Sequence, residues 1–297
     1  MRGVSIPTPV ADELRVGVGR ASLGVDLVFR ASTVTSAFAT SPLKLLTPRS
    51  RGTSVWAYTS SFGGGLVAGD QTRLDIRLGA GTRCFVGTQA SSKIYRNPGR
   101  RPCGHTTQAR LAPDSLLVFA PDPVQAFAQS IYVQRQEFEL APGAGLALVD
   151  WLTSGRAACG ERWAFDQFQS RNEVSTSADS TLDATRVNPK CVFLDSLKLD
   201  SGPGNLAPFQ HMGRFNCLAM LLLVGPPLRE AAARLLAELS AQPVTRRASL
   251  IGSVSPVHDG ALLRIAGEDV EAVGRELHRH LACLSDLLGD DPWASKW

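Results

Sequence analysis

One phrase, a strand running through a tight turn into a second strand, occurs three times along this chain. TRLDIRL places Leu74, Ile76 and Leu78 on one face and Arg73, Asp75 and Arg77 on the other, the period of two that a half-buried strand produces. The turn GAGT follows, and RCFVGTQ begins again. QARL meets Ala112-Pro113-Asp114-Ser115 before LLVF, and EFEL meets Ala141-Pro142-Gly143-Ala144-Gly145 before LALVDW. The turns follow Leu78, Leu111 and Leu140, at separations of 33 and 29 residues, a spacing at which stacked structural repeats arise. A plain antiparallel sandwich also offers turns at loosely regular intervals, so pattern alone leaves stacked coils and sandwich level.

Helical periodicity is confined to the C-terminal part. PPLREAAARLLAELS starts with proline and sets Leu228, Leu235, Leu236 and Leu239 on one face. EDVEAVGRELHRHLACLSDLLG spaces Val270, Val273, Leu277, Leu281, Leu284 and Leu288 by three and four, with acids at its start and Gly289 at its end. This spacing predicts helices over 227–240 and 268–288. Between them LIGSVSPVHDGALLRIAG reads as a hairpin pivoting on Asp259-Gly260. The expected organisation is a mobile tail over 1–20, a β body over about 21–225 and a small α/β tail over about 226–297, with a break inside 171–190.

With 297 residues, 44% of them hydrophobic, the chain can bury a substantial core and is a poor candidate for disorder. Thirty-one Lys and Arg against 27 Asp and Glu leave a net charge of +4, too small to imply nucleic acid without a concentrated patch. The basic stretch of Lys93, Arg96, Arg100, Arg101 and Arg110 reads as a solvated, partner-facing loop. Cys84, Cys103, Cys159, Cys191, Cys217 and Cys283 form no C-x-x-C pair, so a zinc finger is disfavoured, and packing is the ordinary role of such thiols. The longest apolar run, Cys217 to Gly225, is half of the roughly 20 residues a bilayer-spanning helix needs, and the N-terminus lacks a secretory pattern. A cytoplasmic protein is expected.

Three local sequences carry candidate chemistry. Gly63-Gly64-Gly65-Leu66-Val67-Ala68-Gly69-Asp70 concentrates glycine where backbone must turn sharply or approach closely, and it matches neither phosphate-binding glycine pattern. Thr88-Gln89-Ala90-Ser91-Ser92-Lys93-Ile94-Tyr95 is a polar stretch after an apolar strand. The segment from Asp150 to Trp163 brings Asp150, Arg156, Glu161 and Arg162 beside the strand LALV, where charge must be paired or wetted. A structural ion-pair network, a carboxylate pair for acid/base chemistry and a polar conduit for a cation all fit that segment. The five histidines make no metal-binding motif, and His278 and His280 do not share a helical face.

In order, SPLKLL (41–46), GGGLVAGD (63–70), TQASSKIY (88–95), the PDPV segment (121–124) and DWLTSGRAACGERWAF (150–165) resemble the UreD, or UreH, family of urease accessory proteins. The resemblance is strongest over about 25–170, and the tail is more loosely similar to the eukaryotic branch. It implies a layered, helical stack of β-strands with about two helices, which favours stacked coils over the sandwich. It implies a maturation chaperone without catalytic activity that joins UreF and the GTPase UreG on apo-urease and helps deliver nickel, with no tightly bound cofactor and Ni²⁺ only in transit. It also implies an internal water-filled route. On that reading Asp70, Asp150 and Glu161 line the passage, Arg156 orients carboxylates, and Gly63, Gly64, Gly65 and Gly69 let backbone approach it. Lys93, Tyr95 and Arg96 then face a partner, and the two helices are candidate docking elements for UreF. The histidines and cysteines fall mostly outside the matching segments, so no tight nickel site carries over to them, His105 included. The competing readings are a carbohydrate-active β-helix enzyme using an Asp/Glu pair and, more distantly, an RNA-binding protein.

Overall fold

In a computed structural model of the chain, the leucines before the three repeated turns lie side by side. Leu78 registers with Leu111 and Leu111 with Leu140, so each repeat is one rung of a coil. The structure describes residues 18–50, 52–177, 189–201, 206–207, 211–240, 245 and 247–294.

The elements in chain order are β1 (Val18–Val28), β2 (Ala31–Ala39), β3 (Leu43–Leu46), β4 (Val55–Ser61), β5 (Gly65–Leu66), β6 (Gln71–Leu78), β7 (Arg83–Thr88) and β8 (Ser92–Ile94). There follow β9 (Cys103–Leu111), β10 (Leu116–Phe119), β11 (Val124–Ala126), β12 (Ile131–Leu140), β13 (Gly145–Thr153), β14 (Gln167–Thr176), β15 (Lys190–Asp200) and β16 (Cys217–Val224). The chain then forms α1 (Arg229–Ser240), β17 (Leu250–Val257), β18 (Gly260–Gly267), α2 (Val270–Leu281) and α3 (Leu284–Leu288).

Three parallel faces wind into a β-solenoid of about four turns. β1, β6, β9, β12 and β14 stack as the first face, β4, β7, β10 and β13 as the second, and β5, β8 and β11 as a short third. Each rung passes from the first face through a tight turn to the second, then across the third to the next rung. Parallel ladders of this kind need a covered interior. Both open ends are finished by antiparallel strands. β2 and β3 add to β1 and β4 at one end, and β15 and the β16–β18–β17 set add to β14 and β13 at the other. The C-terminal hairpin therefore continues the second face.

The interior is layered. Next to the turns lie apolar rows, with Leu78, Leu111 and Leu140 all buried and Ile76, Ala109, Phe138 and Val174 behind them. At the opposite side Tyr132, Trp163, Phe165 and Phe168 form a second apolar cluster. The outer side of the second face is covered by the helices, where Leu228, Leu235, Val273, Leu277 and Leu281 pack against Phe85, Val118 and Val149.

Several expectations are refined. The region 171–190 opens as strand, because Arg171–Thr176 completes β14 in register with β12; residues 178–188 lie outside the described residues. β1 begins at Val18, and the rest of the assigned tail lies outside the described residues. The hairpin turns on His258-Asp259, one residue earlier than expected, with Val257 registered on Gly260. Asp259 is held there by accepting from the Gly225 amide at 3.2 Å. The helix expected over 268–288 divides into α2 and α3, where the Ser285 amide bonds to the Ala282 carbonyl and tightens the turn. Asp269 caps α2 by accepting from the Ala272 amide at 2.7 Å. Cys84, Cys103 and Cys217 pack inside, whereas Cys159 and Cys191 are exposed. No helix among the described residues is long and apolar enough to cross a membrane.

Candidate functional site

Between the two apolar zones of the interior runs a polar band. Thr72, His105, Gln134 and Ser170 form one row across β6, β9, β12 and β14, and Leu74, Thr107, Gln136 and Asn172 form the next. Buried polar groups are costly unless hydrogen-bonded, and these side chains satisfy one another. Tyr132 OH donates to Gln134 Oε1 at 3.1 Å, and Gln136 Nε2 donates to Asn172 Oδ1 at 2.7 Å. Burial raises the Tyr132 phenol well above its usual range, so it serves as a donor.

The network converges on Asp150, which reaches in from β13 on the opposite face. Its carboxylate accepts from Gln134 Nε2 at 3.0 Å, Ser170 Oγ at 2.7 Å and Asn172 Nδ2 at 2.8 Å. Two cavities meet at this side chain. The first, about 100 Å³, is walled by Thr72, His105, Gln134 and Gln136 together with Asp150. The second, about 390 Å³, lies toward the capped end between β15 and the β16–β18–β17 set and shares Asp150 as a wall. Asp195 and Arg264 line it and pair at 2.8 Å.

His105 sits on β9 facing the first cavity, not in a basic loop, because Cys103–Leu111 is strand. Its Nδ1 lies 2.8 Å from Thr72 Oγ1 and its Nε2 3.1 Å from Thr107 Oγ1. Burial lowers its pKa to about 4, so the imidazole is neutral near pH 7. Burial likewise pushes the Cys103 and Cys217 thiols up to about 12, which leaves them protonated and poor metal ligands.

The remaining candidates occupy different settings. Asp70 closes the glycine-rich turn by accepting from the Val67 amide at 2.9 Å. Glu161 accepts from two of the Arg156 guanidinium nitrogens, Nε at 3.0 Å and Nη2, and also from the Ala128 amide. Arg156 holds the Glu161 carboxyl below the usual range and lies 4.8 Å over the Phe127 ring. Among the described residues no group of three or more His, Cys, Asp or Glu is gathered for a metal ion. Gly63 and Gly64 have φ of 75° and 71°, and Gly64 and Gly65 border the first cavity. At Gly65 an added Cβ would fall 2.3 Å from the Lys93 carbonyl oxygen, where β5 lies against β8. Gly69 turns beside the Arg101 guanidinium.

Lys93 and Arg96 are exposed, and Tyr95 OH donates to the Gly63 carbonyl at 2.9 Å. The expected basic loop is partly tied down: Arg96 bonds to Gln129, Arg100 pairs with Asp166 at 2.9 Å and Arg110 pairs with Glu139.

The polar band itself was missed in the sequence. Gln134 and Gln136 share strand parity with the buried Phe138 and Leu140, so alternation already placed them on the inward face. Asp195 and Arg264 carried no comparable signal.

The first cavity also gathers the five dispersed sequence segments. Leu43, Gly65, Ser92, Asp122 and Asp150, one from each, stand on its wall. The family model described as "UreD urease accessory protein" matches residues 17–296. The chain belongs to the UreD family of urease accessory proteins. A urease accessory protein UreD of Sorangium cellulosum is 43% identical over 94% of this chain and 85% of its own length. One from an Anaeromyxobacter species is 38% identical over 95% and 90%. Urease accessory protein D of Arabidopsis thaliana is 33% identical over 91% and 98%. Similarity thus extends to bacterial and plant members, with the higher identities on the bacterial side. Membership disfavours the carbohydrate-active alternative.

Proposed function

We propose that this UreD-family chain is a non-catalytic maturation subunit that joins UreF and UreG on apo-urease and passes nickel through its polar interior toward the urease dinickel site. The work would take place in the cytoplasm, with Ni²⁺ as transient cargo and no resident cofactor. The observation that carries the reading is the position of Asp150, a carboxylate shared by two cavities and held by three neutral donors.

A divalent ion in transit needs oxygen ligands that offset its charge without a closed nitrogen or sulfur cage that would retain it. The polar band supplies hydroxyls, amides and one carboxylate; its one imidazole stands between the Thr72 and Thr107 hydroxyls, its neighbouring thiols are protonated, and no cluster of three or more His, Cys, Asp or Glu closes around them among the described residues. Asp70 and Glu161, with Arg156, would flank this route, and Gly63, Gly64, Gly65 and Gly69 would shape its glycine-rich border. Lys93, Tyr95 and Arg96 would present an outer surface to a partner, and α1 and α2 would dock UreF.

The test is reconstituted activation of apo-urease with defined partners and the Asp150→Asn variant, which keeps the side-chain shape. Nickel loading of urease is expected to fall several-fold while the accessory complex still assembles. Wild-type loading with D150N would overturn the passage.

A further inference from the structure

The second cavity ends at an ion pair that the nickel reading does not itself require. In the β13–β16–β18–β17 sheet, Asp150, Met220, Arg264 and Ser253 occupy one register row. On the facing sheet Asp195 registers with Asn172, the residue that donates to Asp150. Arg264 Nη2 donates to Asp195 Oδ1 at 2.8 Å and thereby ties the last strand of one sheet to the other. The Asp195 side chain is 20% exposed and that of Arg264 55%, so the carboxylate is the more buried partner and the guanidinium the more solvent-facing one at the cavity wall.

We propose that Arg264 is a displaceable plug that controls the release of divalent cations from the Asp150 end of the passage. A guanidinium is a permanent cation, and beside an empty cavity it neutralises Asp195 and opposes entry of positive charge from outside. A divalent ion at Asp150 competes for the Asp195 carboxylate with twice the charge. The half-exposed guanidinium then swings into water, where its loss of an exposed ion pair is cheap. Asp195 becomes a ligand only when cargo has arrived, and the plug returns when the ion leaves. This inference rests on the nickel-passage reading and names the residue pair that regulates it.

Its test uses the isolated full chain and Ni²⁺ alone, measured by equilibrium dialysis and calorimetry. Arg264→Gln is expected to bind Ni²⁺ several-fold more tightly than wild type, because Asp195 is freed. The double variant Arg264→Gln/Asp195→Asn is expected to return to wild-type affinity. Equal affinity of R264Q and wild type overturns the plug, as does a double variant that binds as tightly as R264Q. Arg264→Met, which retains the aliphatic packing, serves if R264Q lowers the thermal midpoint. The outcome separates from the passage test: a D150N protein that still loads urease removes the passage, while unchanged Ni²⁺ affinity in R264Q with D150N defective removes only the plug.

Discussion

Gln134 and Asp150 meet across the solenoid interior, the Gln134 amide donating to Asp150 Oδ1 at 3.0 Å and joining the two main faces through their polar band. Asp150 has two further donors, so its removal leaves Gln134, Ser170 and Asn172 without their common acceptor. Asp150→Ala is expected to cost about 1–3 kcal/mol for the stranded buried donors. Chemical denaturation measures this, and a midpoint unchanged from wild type would contradict the network.

The leucine stack that closes each rung gives a second expectation. Leu111 is fully buried between Leu78 and Leu140. Leu111→Ala removes buried methyl groups and opens a cavity in a rigid ladder, at a cost of about 2–5 kcal/mol. Leu194→Ala, on the half-exposed outer face of β15, should stay within roughly 0.5 kcal/mol. Thermal melting of the two variants side by side tests whether the rungs stack as described.

Gly65 tests the third face. Any Cβ there meets the Lys93 carbonyl, a backbone atom that cannot move aside without displacing β8. Gly65→Ala is expected to destabilise by roughly 2–3 kcal/mol, clearly more than Gly64→Ala, and to disturb the cavity wall. Gly64→Ala has open space and only the strain of its left-handed backbone, about 1 kcal/mol. Comparable losses from both variants would argue against the close approach.

Acid should weaken the fold through His105. Its pKa in the folded protein is about 4, below its ordinary value, so between roughly pH 6.5 and 4 the unfolded chain binds more protons than the native one. Stability is full above that window and falls as pH drops through it, by on the order of 3 kcal/mol from this group. His105→Asn is expected to flatten that part of the stability–pH curve. An unchanged slope would show that the imidazole is not buried neutral.

The polar band shows where reading by strand period stops. Alternation in IYVQRQEFEL puts Tyr132, Gln134, Gln136, Phe138 and Leu140 on one face, and the apolar members mark that face as inward. Two glutamines on it are a visible violation of a dry core, yet their acceptors, Asp150 and Ser170 for Gln134 and Asn172 for Gln136, lie on other strands, and no local pattern names them. Arg264 and Asp195 are 69 residues apart in sequence and meet only because β15 and β18 cap the same open end.

Local chemistry in the chain therefore determined the individual strands, the turns after Leu78, Leu111 and Leu140, the C-terminal hairpin and the apolar stripes of the helices, because those depend on neighbours a few residues away. Tertiary structure alone decided that five distant segments wall one cavity, that Asp150 joins two cavities, and that Arg264 pairs with Asp195 beside the farther one. The reason is that register between rungs is set by how whole strands stack, and stacking brings together side chains whose separation along the chain carries no signal.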